Sequence, residues 1–559
     1  MSAEPPVQAP GPVADRSLGH RAPLLWIALP LLGGLATGQM LGLDDVRGPL
    51  LVALVAAGAA LVAAWRQTRD WAIWLITAGV ATGVSSQIAH RARLPEWETL
   101  PAREARLGLR VDRVFHTKDA RRTTGLATVV RTEPHLRDLL GQRVHFSLSL
   151  TGAESPPLRS TIVSAIGVLA VLPRHPPADT FEGYLAAAGI NFRLNRGRLL
   201  GEEAPAHAYH RWCARVADRF RAILDRGIGD KRPALAALLR GMMLGETHEL
   251  SQEQREVFMQ SGTMHLFAIS GLNIGVIAAA LHALLSLARV PPWPRFLLGI
   301  AALWLFVDIT GASPSAVRAW AMAAFLQAAF VLRRPANVLA GLTASAVAVL
   351  LVAPLQAFSA SFLMSYAIVL ALLVLGLPLG EAWSRRWEPW RELPKPAWRW
   401  WHRWSAAGCR ATATTLAVGV ATMLVSVVTS VLFFRLLTPG ALVANLVLIP
   451  AASAVTLGGF ASLLCGLVGL GFGASLCNHA AALVLLGIER LVQGSVTLPG
   501  AFFPARFAAP WVGYSALALL IATLLAGYAW SWRRERGGWW PPFIVVALAL
   551  LLGLRPVGS

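Results

Sequence analysis

Four polar side chains interrupt an apolar stretch near the middle of the chain and could contact a substrate inside a membrane. Residues 262–275 read Gly-Thr-Met-His-Leu-Phe-Ala-Ile-Ser-Gly-Leu-Asn-Ile-Gly, and the four are Thr263, His265, Ser270 and Asn273. Unpaired polar groups are costly in hydrocarbon, so membrane anchoring alone does not explain them. At about 100° per residue, His265, Ser270 and Asn273 are predicted to share one side of a helix.

Glycines in the same stretch allow two interpretations. Gly262, Gly271 and Gly275 would let the backbone break or let a neighbouring helix approach closely. Polar groups beside a backbone break are typical of a substrate path, where the end of a half-helix faces a cavity. The alternative is a glycine-packed helix whose polar groups bond only to their neighbours. Residue types alone leave both open.

Two charged residues flank a predicted tight turn further along the apolar half. Asp308 precedes the turn and Arg318 follows it, with Ser313 placed to cap the next helix and Pro314 to begin it. A charge at mid-bilayer costs about 2.5–3.5 kcal/mol on insertion scales. The two residues are therefore expected to pair, face a cavity or reach the interface. Arg318, about one turn inside its helix, could snorkel or line a path for phosphates.

Several motifs resemble those of the ComEC family, whose members take transforming DNA into bacteria. Residues 265–274 resemble the family's His-Leu-x-Ala-Ile-Ser-Gly-Leu-His-Ile signature, and residues 243–258 resemble its preceding Leu-Leu-Leu-Gly-Asp run. Residues 310–319 resemble its Thr-Gly-x-x-Pro-Ser-x-x-Arg-Ala motif almost letter for letter, and residues 445–450 its Asn-Leu-x-x-x-Pro motif. The motifs occur in the family's order.

The resemblance implies an inner-membrane channel that passes single-stranded DNA into the cytoplasm during natural transformation. It implies contacts with DNA and membrane lipids, a periplasmic DNA receptor, a cytosolic helicase-like motor and a separate nuclease. The residues carried over as channel-lining or motif positions are His265, Ser270, Gly271, Leu272, Asn273, Asp308, Pro314, Arg318, Asn445 and Pro450.

Three departures separate this chain from the family pattern. Asn273 stands where the signature has a second His, and Met364 stands where Gln is usual in residues 361–366. Many family members also continue into a metallo-β-lactamase-like domain, whereas this chain ends at Ser559. A diverged, non-transporting paralogue is therefore an alternative, as is a membrane enzyme or lipid-handling protein that uses His265 and Ser270 chemically.

Composition predicts a multi-pass α-helical membrane protein. Of 559 residues, 55% are hydrophobic and 14% charged, with a formal net charge of +20. Hydropathy and punctuation predict a disordered N-terminus over 1–22, three transmembrane helices over 23–90 and ten more over 261–559, about 13 spans in all. Basic short loops then fall in the cytoplasm and the C-terminus outside, as the positive-inside rule requires.

Between the third and fourth spans, two segments are too polar to cross. Residues 91–205 alternate in short apolar runs, which predicts a small periplasmic all-β domain resembling an oligonucleotide-binding (OB) barrel. One hairpin of this domain combines cations with an aromatic ring, either to bind single-stranded DNA or merely as a solvated basic turn. Its residues are Arg110, Arg113, Phe115, Lys118, Arg121 and Arg122. Residues 206–260 are predicted as amphipathic helices lying on the membrane surface.

The predicted cytoplasmic loop 381–410 has an unusual composition, with seven Trp among seven Lys and Arg. Indole beside cation suits either the lipid headgroup layer or a strand leaving a pore, and the lipid interpretation is favoured.

Motifs for chemistry are missing from the sequence. There is no P-loop, no metal-hydrolase or paired-cysteine ligand set and no Gly-x-Ser-x-Gly elbow. His207, His210 and Cys213 fan over roughly 120° of a helix without a fourth ligand. We therefore expect a transporter rather than an enzyme, with no cofactor and no metal.

Overall fold

A computed structural model describes residues 22–43, 45–91, 97, 100–115, 117, 119, 121–150, 156–173, 176–177, 179–267, 269–332, 338–497, 500, 502–533 and 537–556. The predicted N-terminal disorder over 1–22, apart from Ala22, lies outside these residues, and so does Lys118 of the basic hairpin.

Among the described residues, three helices come first, α1 (Leu25–Leu41), α2 (Arg47–Trp65) and α3 (Trp71–His90). Two glycines let α1 and α3 touch: a Cβ on Gly34 would lie 2.0 Å from the Val80 carbonyl oxygen, and one on Gly83 would lie 2.4 Å from that of Leu31. Small residues at a helix crossing are the usual way in which apolar helices pack closely in lipid.

A closed five-stranded barrel follows, made of β1 (Arg103–Phe115), β2 (Arg122–Thr132), β3 (Arg143–Ser149), β4 (Ile162–Val171) and β5 (Phe192–Ala204). The strand order is β1-β2-β3-β5-β4, and β3 and β5 are the parallel pair. Alternate residues of β1, such as Leu107, Leu109 and Val111, fill the interior. A short helix, α4 (Phe181–Ala187), connects β4 to β5. The predicted all-β segment is thus a barrel.

Three helices connect the barrel to the apolar half, α5 (Ala208–Asp225), α6 (Pro233–Leu244) and α7 (Gln252–Gln260). Helix α6 differs from the amphipathic helix expected in this segment, because nine of its twelve residues are buried, while the position of the segment on the membrane surface stays a prediction. Its sequence, Pro-Ala-Leu-Ala-Ala-Leu-Leu-Arg-Gly-Met-Met-Leu, is apolar on nearly every side, so it packs within the main core.

In the described part of the apolar half there are ten helices. They are α8 (Gly271–Leu287), α9 (Pro292–Ile309), α10 (Pro314–Val331), α11 (Val338–Val352), α12 (Ala360–Arg386, with one π-helical turn at Leu372–Gly376), α13 (Trp400–Phe434), α14 (Ala441–Leu467), α15 (Gly471–Val496), α16 (Pro510–Ala529) and α17 (Trp540–Gly553).

Within the described residues, nine helices are long and apolar enough to cross a membrane. Three predicted spans, α1, α11 and α17, are apolar but only 17, 15 and 14 residues long, and α10 carries Arg318. The count of about 13 spans is therefore not confirmed.

A three-stranded sheet joins distant connections at one end of the helices. Its strands are β6 (Leu436–Leu437), β7 (Phe503–Phe507) and β8 (Leu554–Pro556), in the order β6-β7-β8. They follow α13, α15 and α17, so these three helices end on the same side. The barrel contacts this end as well, through an ion pair of Asp179 with Arg435. We call it the barrel end.

The Trp- and Arg-rich segment 381–410 is less of a loop than predicted. Helix α12 extends to Arg386 and α13 begins at Trp400, so residues 387–399 alone connect them. Ring packing explains the extension of α13: Trp401 and His402 stack at 3.6 Å between centroids, and Trp390 Nε1 donates to Ser405 Oγ at 2.9 Å. Trp400 and Trp404 remain 75% and 74% exposed.

Candidate functional site

The polar stretch at residues 262–275 is broken rather than continuous. Met264–Leu266 forms one 3₁₀ turn, and α8 begins only at Gly271. Ser270 caps α8, its Oγ accepting from the Asn273 backbone N at 3.4 Å, which satisfies one of the free N–H groups at the helix start. The prediction that His265, Ser270 and Asn273 share one side of a helix is therefore wrong, because the helix starts after Ser270, which caps it, and includes only Asn273 of the three.

His265 lies at the surface of the barrel end. Its side chain is exposed, and its Nδ1 bonds to the Gly262 carbonyl oxygen at 2.9 Å. Gly262 adopts φ +71°, and an added Cβ would lie 3.1 Å from Thr438 Oγ1. Glycine is needed there for both its backbone conformation and its close approach to the α13–α14 connection.

Asn273 is a buried cross-link between three helices. It is 2% exposed, its Nδ2 donates to the Met242 carbonyl oxygen of α6 at 3.1 Å, and its Oδ1 accepts from Thr456 Oγ1 of α14 at 3.3 Å. Both ends of the amide are thus used within the protein. For Asn273, this arrangement fits the alternative interpretation of the stretch, in which polar groups bond only to their neighbours.

Helix α10 packs its first turns against the break. Ser315 Oγ donates to the Ile269 carbonyl oxygen at 2.8 Å. Gly271 faces Ala319, and a Cβ added to Gly271 would lie 3.9 Å from the Cβ of Ala319. The turn before α10 forms as expected, since Ser313 caps the helix and Pro314 begins it. Two motifs separated by some 40 residues are thereby brought together at the barrel end.

Arg318 lies one turn inside α10 and is 1% exposed. Its Nη2 donates to Ser361 Oγ at 2.5 Å, to the Ser361 carbonyl oxygen at 2.8 Å and to Ser365 Oγ at 3.0 Å. Its Nη1 lies 3.4 Å from Gln356 Oε1, and its Nε has no hydrogen-bond partner among the described residues. Snorkelling to the interface is therefore not what this side chain does. We call Arg318, Gln356, Ser361 and Ser365 the Arg318 cluster.

The acceptors around Arg318 are all neutral. Asp308, one of the expected partners, instead pairs with Arg159 of the barrel at 2.5 Å. Within the described residues, the buried guanidinium therefore has hydroxyl, amide and carbonyl oxygens beside it but no carboxylate within ion-pair distance. A buried cation without a counter-charge is costly for a purely structural role and attracts an anion.

Three helix N-termini reinforce this positive charge. Helices α8, α10 and α12 all begin at the barrel end, and each is capped by a serine, Ser270, Ser313 and Ser359. The backbone dipoles of a helix place about half a positive charge at its N-terminus. Together with Arg318, this end of the helices favours negatively charged groups.

The two late motif residues lie on α14. Pro450 falls inside the helix, where it removes one backbone hydrogen bond, and its side chain is exposed. Asn445 is half-buried, and its Oδ1 is buried with no hydrogen-bond partner among the described residues. Leu272 packs at the edge of the main core. No hydrogen bond or ion pair joins these residues to the Arg318 cluster within the described part of the chain.

The basic hairpin of the barrel has only part of the expected surface. Arg110, Arg121 and Arg122 are exposed, and Arg113 holds its guanidinium carbon 5.4 Å from the Phe115 ring centroid. Phe115 itself packs inward against a small core that includes Leu126, Leu172, Leu185 and Ile190. Its ring is therefore largely occupied by the protein and is not a free stacking surface.

Similarity to known proteins agrees with this arrangement. Residues 242–534, more than half of the chain, match the family described as Competence protein. The chain belongs to the Competence protein family. It is also similar to ComE operon protein 3 of Bacillus subtilis (strain 168), with 26% identity over 142 residues. That match covers 25% of this chain and 18% of the relative. No solved structure matches the chain.

Family membership and nine long apolar helices among the described residues make this a multi-pass membrane protein. The match to the Competence family includes the broken stretch, α10 and the Arg318 cluster. Sequence reasoning missed Gln356, Ser361 and Ser365 as site residues. The signal was present, because Ser361 and Ser365 are four residues apart and so face the same way on a helix.

Proposed function

We propose that this protein is a channel in the bacterial inner membrane that passes single-stranded DNA into the cytoplasm during natural transformation. Membership of the Competence family and the similarity to ComE operon protein 3 support a role in DNA uptake. The barrel then lies in the periplasm, and the segment 387–399 lies in the cytoplasm.

The observation that carries the proposal is the Arg318 cluster. A strand of phosphates crossing the bilayer needs compensating positive charge, because each charge costs several kcal/mol in hydrocarbon. Arg318 supplies one buried cation whose neighbours are neutral, so its charge is not cancelled by a protein carboxylate within the described residues. The hydroxyls of Ser361 and Ser365 can exchange their bond to Arg318 for one to a phosphate oxygen.

The present conformation is closed at this level, since Arg318 is 1% exposed. Opening requires α12 to move away from α10. The π-helical turn at Leu372–Gly376 lies about two to three turns beyond Ser365 in α12, and such turns are frequent at functional sites in helices.

The barrel is proposed to receive the strand before it enters. Its five strands in the order β1-β2-β3-β5-β4 suit an OB-type barrel, a fold that binds single strands. A DNA receptor outside, and a helicase-like motor and a nuclease from other proteins, would complete the pathway.

An enzyme using Ser270 is the competing function. The Ser270 hydroxyl caps α8, and no hydrogen bond joins it to His265 within the described residues. This histidine is therefore not positioned as the base of Ser270 in the described geometry. A serine nucleophile needs such a base within hydrogen-bond reach.

Transformation with labelled DNA separates the two functions. A channel tolerates Ser270→Ala, which removes one cap hydrogen bond, whereas an enzyme loses activity by orders of magnitude. Arg318→Glu abolishes uptake through a channel, and Arg318→Lys retains part of it. Each variant is compared at equal membrane level, and an inactive Ser270→Ala beside an active Arg318→Glu contradicts the channel.

A further inference from the structure

Two exposed aromatic rings lie side by side on α4, the short helix of the barrel. Phe181 is 48% exposed and Tyr184 is 36% exposed. Their rings stack with centroids 6.0 Å apart and planes 22° from parallel. Large apolar rings on a soluble domain normally turn inward, and a stacked pair left at the surface is a flat apolar face without a partner.

Neighbouring residues hold this pair rigidly from behind. His145 meets Phe181 edge-on at 5.2 Å between centroids, and Phe115 lies 6.4 Å from Tyr184. Leu185, the residue after Tyr184, is fully buried in the small core that also receives Phe115. The helix therefore cannot turn to bury its aromatic face without losing that core.

Cations border the same face. The Arg193 guanidinium carbon lies 5.9 Å from the Phe181 ring centroid, and Arg193 is kept there by a 3.0 Å ion pair with Glu182. Arg113 holds the corresponding position over Phe115, at 5.4 Å. Between residues 100 and 204, Lys and Arg number fifteen against ten Asp and Glu, so the barrel as a whole favours an anionic ligand.

The position of α4 connects this face to the Arg318 cluster. Before α4, Asp179 pairs with Arg435 at the end of α13. After α4, Gly189 packs against Leu355, and a Cβ added to Gly189 would lie 3.4 Å from Leu355 Cδ1. Leu355 belongs to the 3₁₀ turn Pro354–Phe358, which also carries Gln356 of the Arg318 cluster. The aromatic face thus lies where the barrel meets the helices that hold Arg318.

We propose that Phe181 and Tyr184 form a stacking platform for the bases of a single DNA strand, with Arg193 and Arg113 beside it for the phosphates. Any base can stack on an aromatic ring, so such a platform binds without regard to sequence. The platform holds the strand directly before the Arg318 cluster. This inference rests on the proposed function, of which it is the entry step.

Binding of a fluorescein-labelled oligo(dT) strand to the full chain in phosphatidylcholine nanodiscs tests the platform. Phe181→Ala with Tyr184→Ala should weaken the affinity by about tenfold or more, since both stacking contacts are lost. The salt dependence should remain, because the arginines are retained. Phe181→Trp and Tyr184→Phe, which keep a ring, should bind like the wild type. Phe503→Ala is the matched control, as Phe503 is also 48% exposed at the barrel end.

An abasic strand supplies the second readout. The wild type should bind it as weakly as the double alanine variant binds oligo(dT). Unchanged oligo(dT) affinity of the double variant overturns the platform. If that variant also inserts less well into bilayers, the rings belong to the headgroup layer instead. The channel itself is tested separately by DNA uptake in Arg318→Glu. If uptake is blocked in Arg318→Glu while the double alanine variant binds DNA like the wild type, the platform is wrong but the channel is supported. If uptake continues in Arg318→Glu, the channel is contradicted.

Discussion

Arg159 of the barrel and Asp308 of α9 form an ion pair across the junction between the two parts of the chain, with Nη1 2.5 Å from Oδ1. The Asp308 side chain is 6% exposed and that of Arg159 is 42% exposed. A second pair, Asp179 with Arg435, joins the same two parts with the charges reversed. These two reciprocal contacts hold the barrel at one place over the helices.

Removing one partner of the first pair should loosen the junction. Arg159→Ala leaves the Asp308 carboxylate buried and unpaired, which we expect to cost about 1–3 kcal/mol. Asp308→Asn in the same chain should recover part of that loss, because the orphaned charge is gone. Thermal unfolding of the wild type, the two single variants and the double variant gives the interaction free energy between Arg159 and Asp308. Simple additivity of the two effects would show that the pair does not hold the junction.

Acid should destabilise the barrel through His145. Burial, together with a smaller effect of the nearby Arg193, lowers the pKa of His145 from 6.5 to about 4. The unfolded chain takes up this proton near pH 6.5 but the folded barrel only near pH 4, so stability falls as the pH drops between these values, by up to about 1.4 kcal/mol per unit.

Amide exchange of β3 in the full chain measures this effect. His145→Phe should remove the pH dependence, whereas His135→Gln, a change at an exposed histidine, should keep it. Equal pH dependence in the wild type and His145→Phe would assign the effect to another group.

Two exposed arginines at the β1–β2 hairpin should contribute to binding through phosphate contacts alone. Arg121→Ala with Arg122→Ala should reduce the slope of log affinity against log salt by about 1.4, at about 0.7 for each phosphate contact to a single strand. Arg137→Ala, at the opposite end of β2, is the control and should leave the slope unchanged. A slope unaffected by the hairpin variants would place the strand elsewhere on the barrel.

Membrane orientation can be tested from the three-stranded sheet. Because β6, β7 and β8 lie at the barrel end, a membrane-impermeant thiol reagent applied outside should label cysteines at Arg137 and Arg506 and should not label one at Pro396. The four native cysteines are first replaced. Labelling of the cysteine at Pro396 without labelling of the cysteine at Arg137 would show that the protein has the opposite orientation in the membrane.

Periodicity and punctuation predicted most of the helices and the β-domain. Proline, glycine and charge mark the connections, so the spans predicted at 294–309, 313–332 and 511–532 end within a few residues of α9, α10 and α16. The glycines of the stretch indicated the break before Gly271. The predicted direction of the His265 side chain was wrong, because it assumed one unbroken helix from His265 to Asn273. Residue types identified Ser313 and Pro314 correctly because capping is local.

Long-range pairing could not be predicted in the same way. Asp308 lies ten residues before Arg318, yet it pairs with Arg159, which is 149 residues away in the chain. Arg318 finds its acceptors 38–47 residues further on. These pairings depend on how the helices and the barrel pack against one another, which cannot be read from the spacing of residues in the sequence. The same limit hid Phe181 and Tyr184, whose exposure is known only once α4 is packed on the barrel.

The central claim is that a DNA strand passes the Arg318 cluster, and photo-crosslinking tests it most directly. A photoreactive side chain at Ser361, in contact with Arg318, should form a covalent adduct with labelled single-stranded DNA when uptake is stalled by a bulky group at the trailing end. The same side chain at Leu483, which is 71% exposed on α15, should give none. An adduct at Ser361 that disappears in Arg318→Glu is the predicted result. Import of DNA without any adduct at Ser361 would contradict the account.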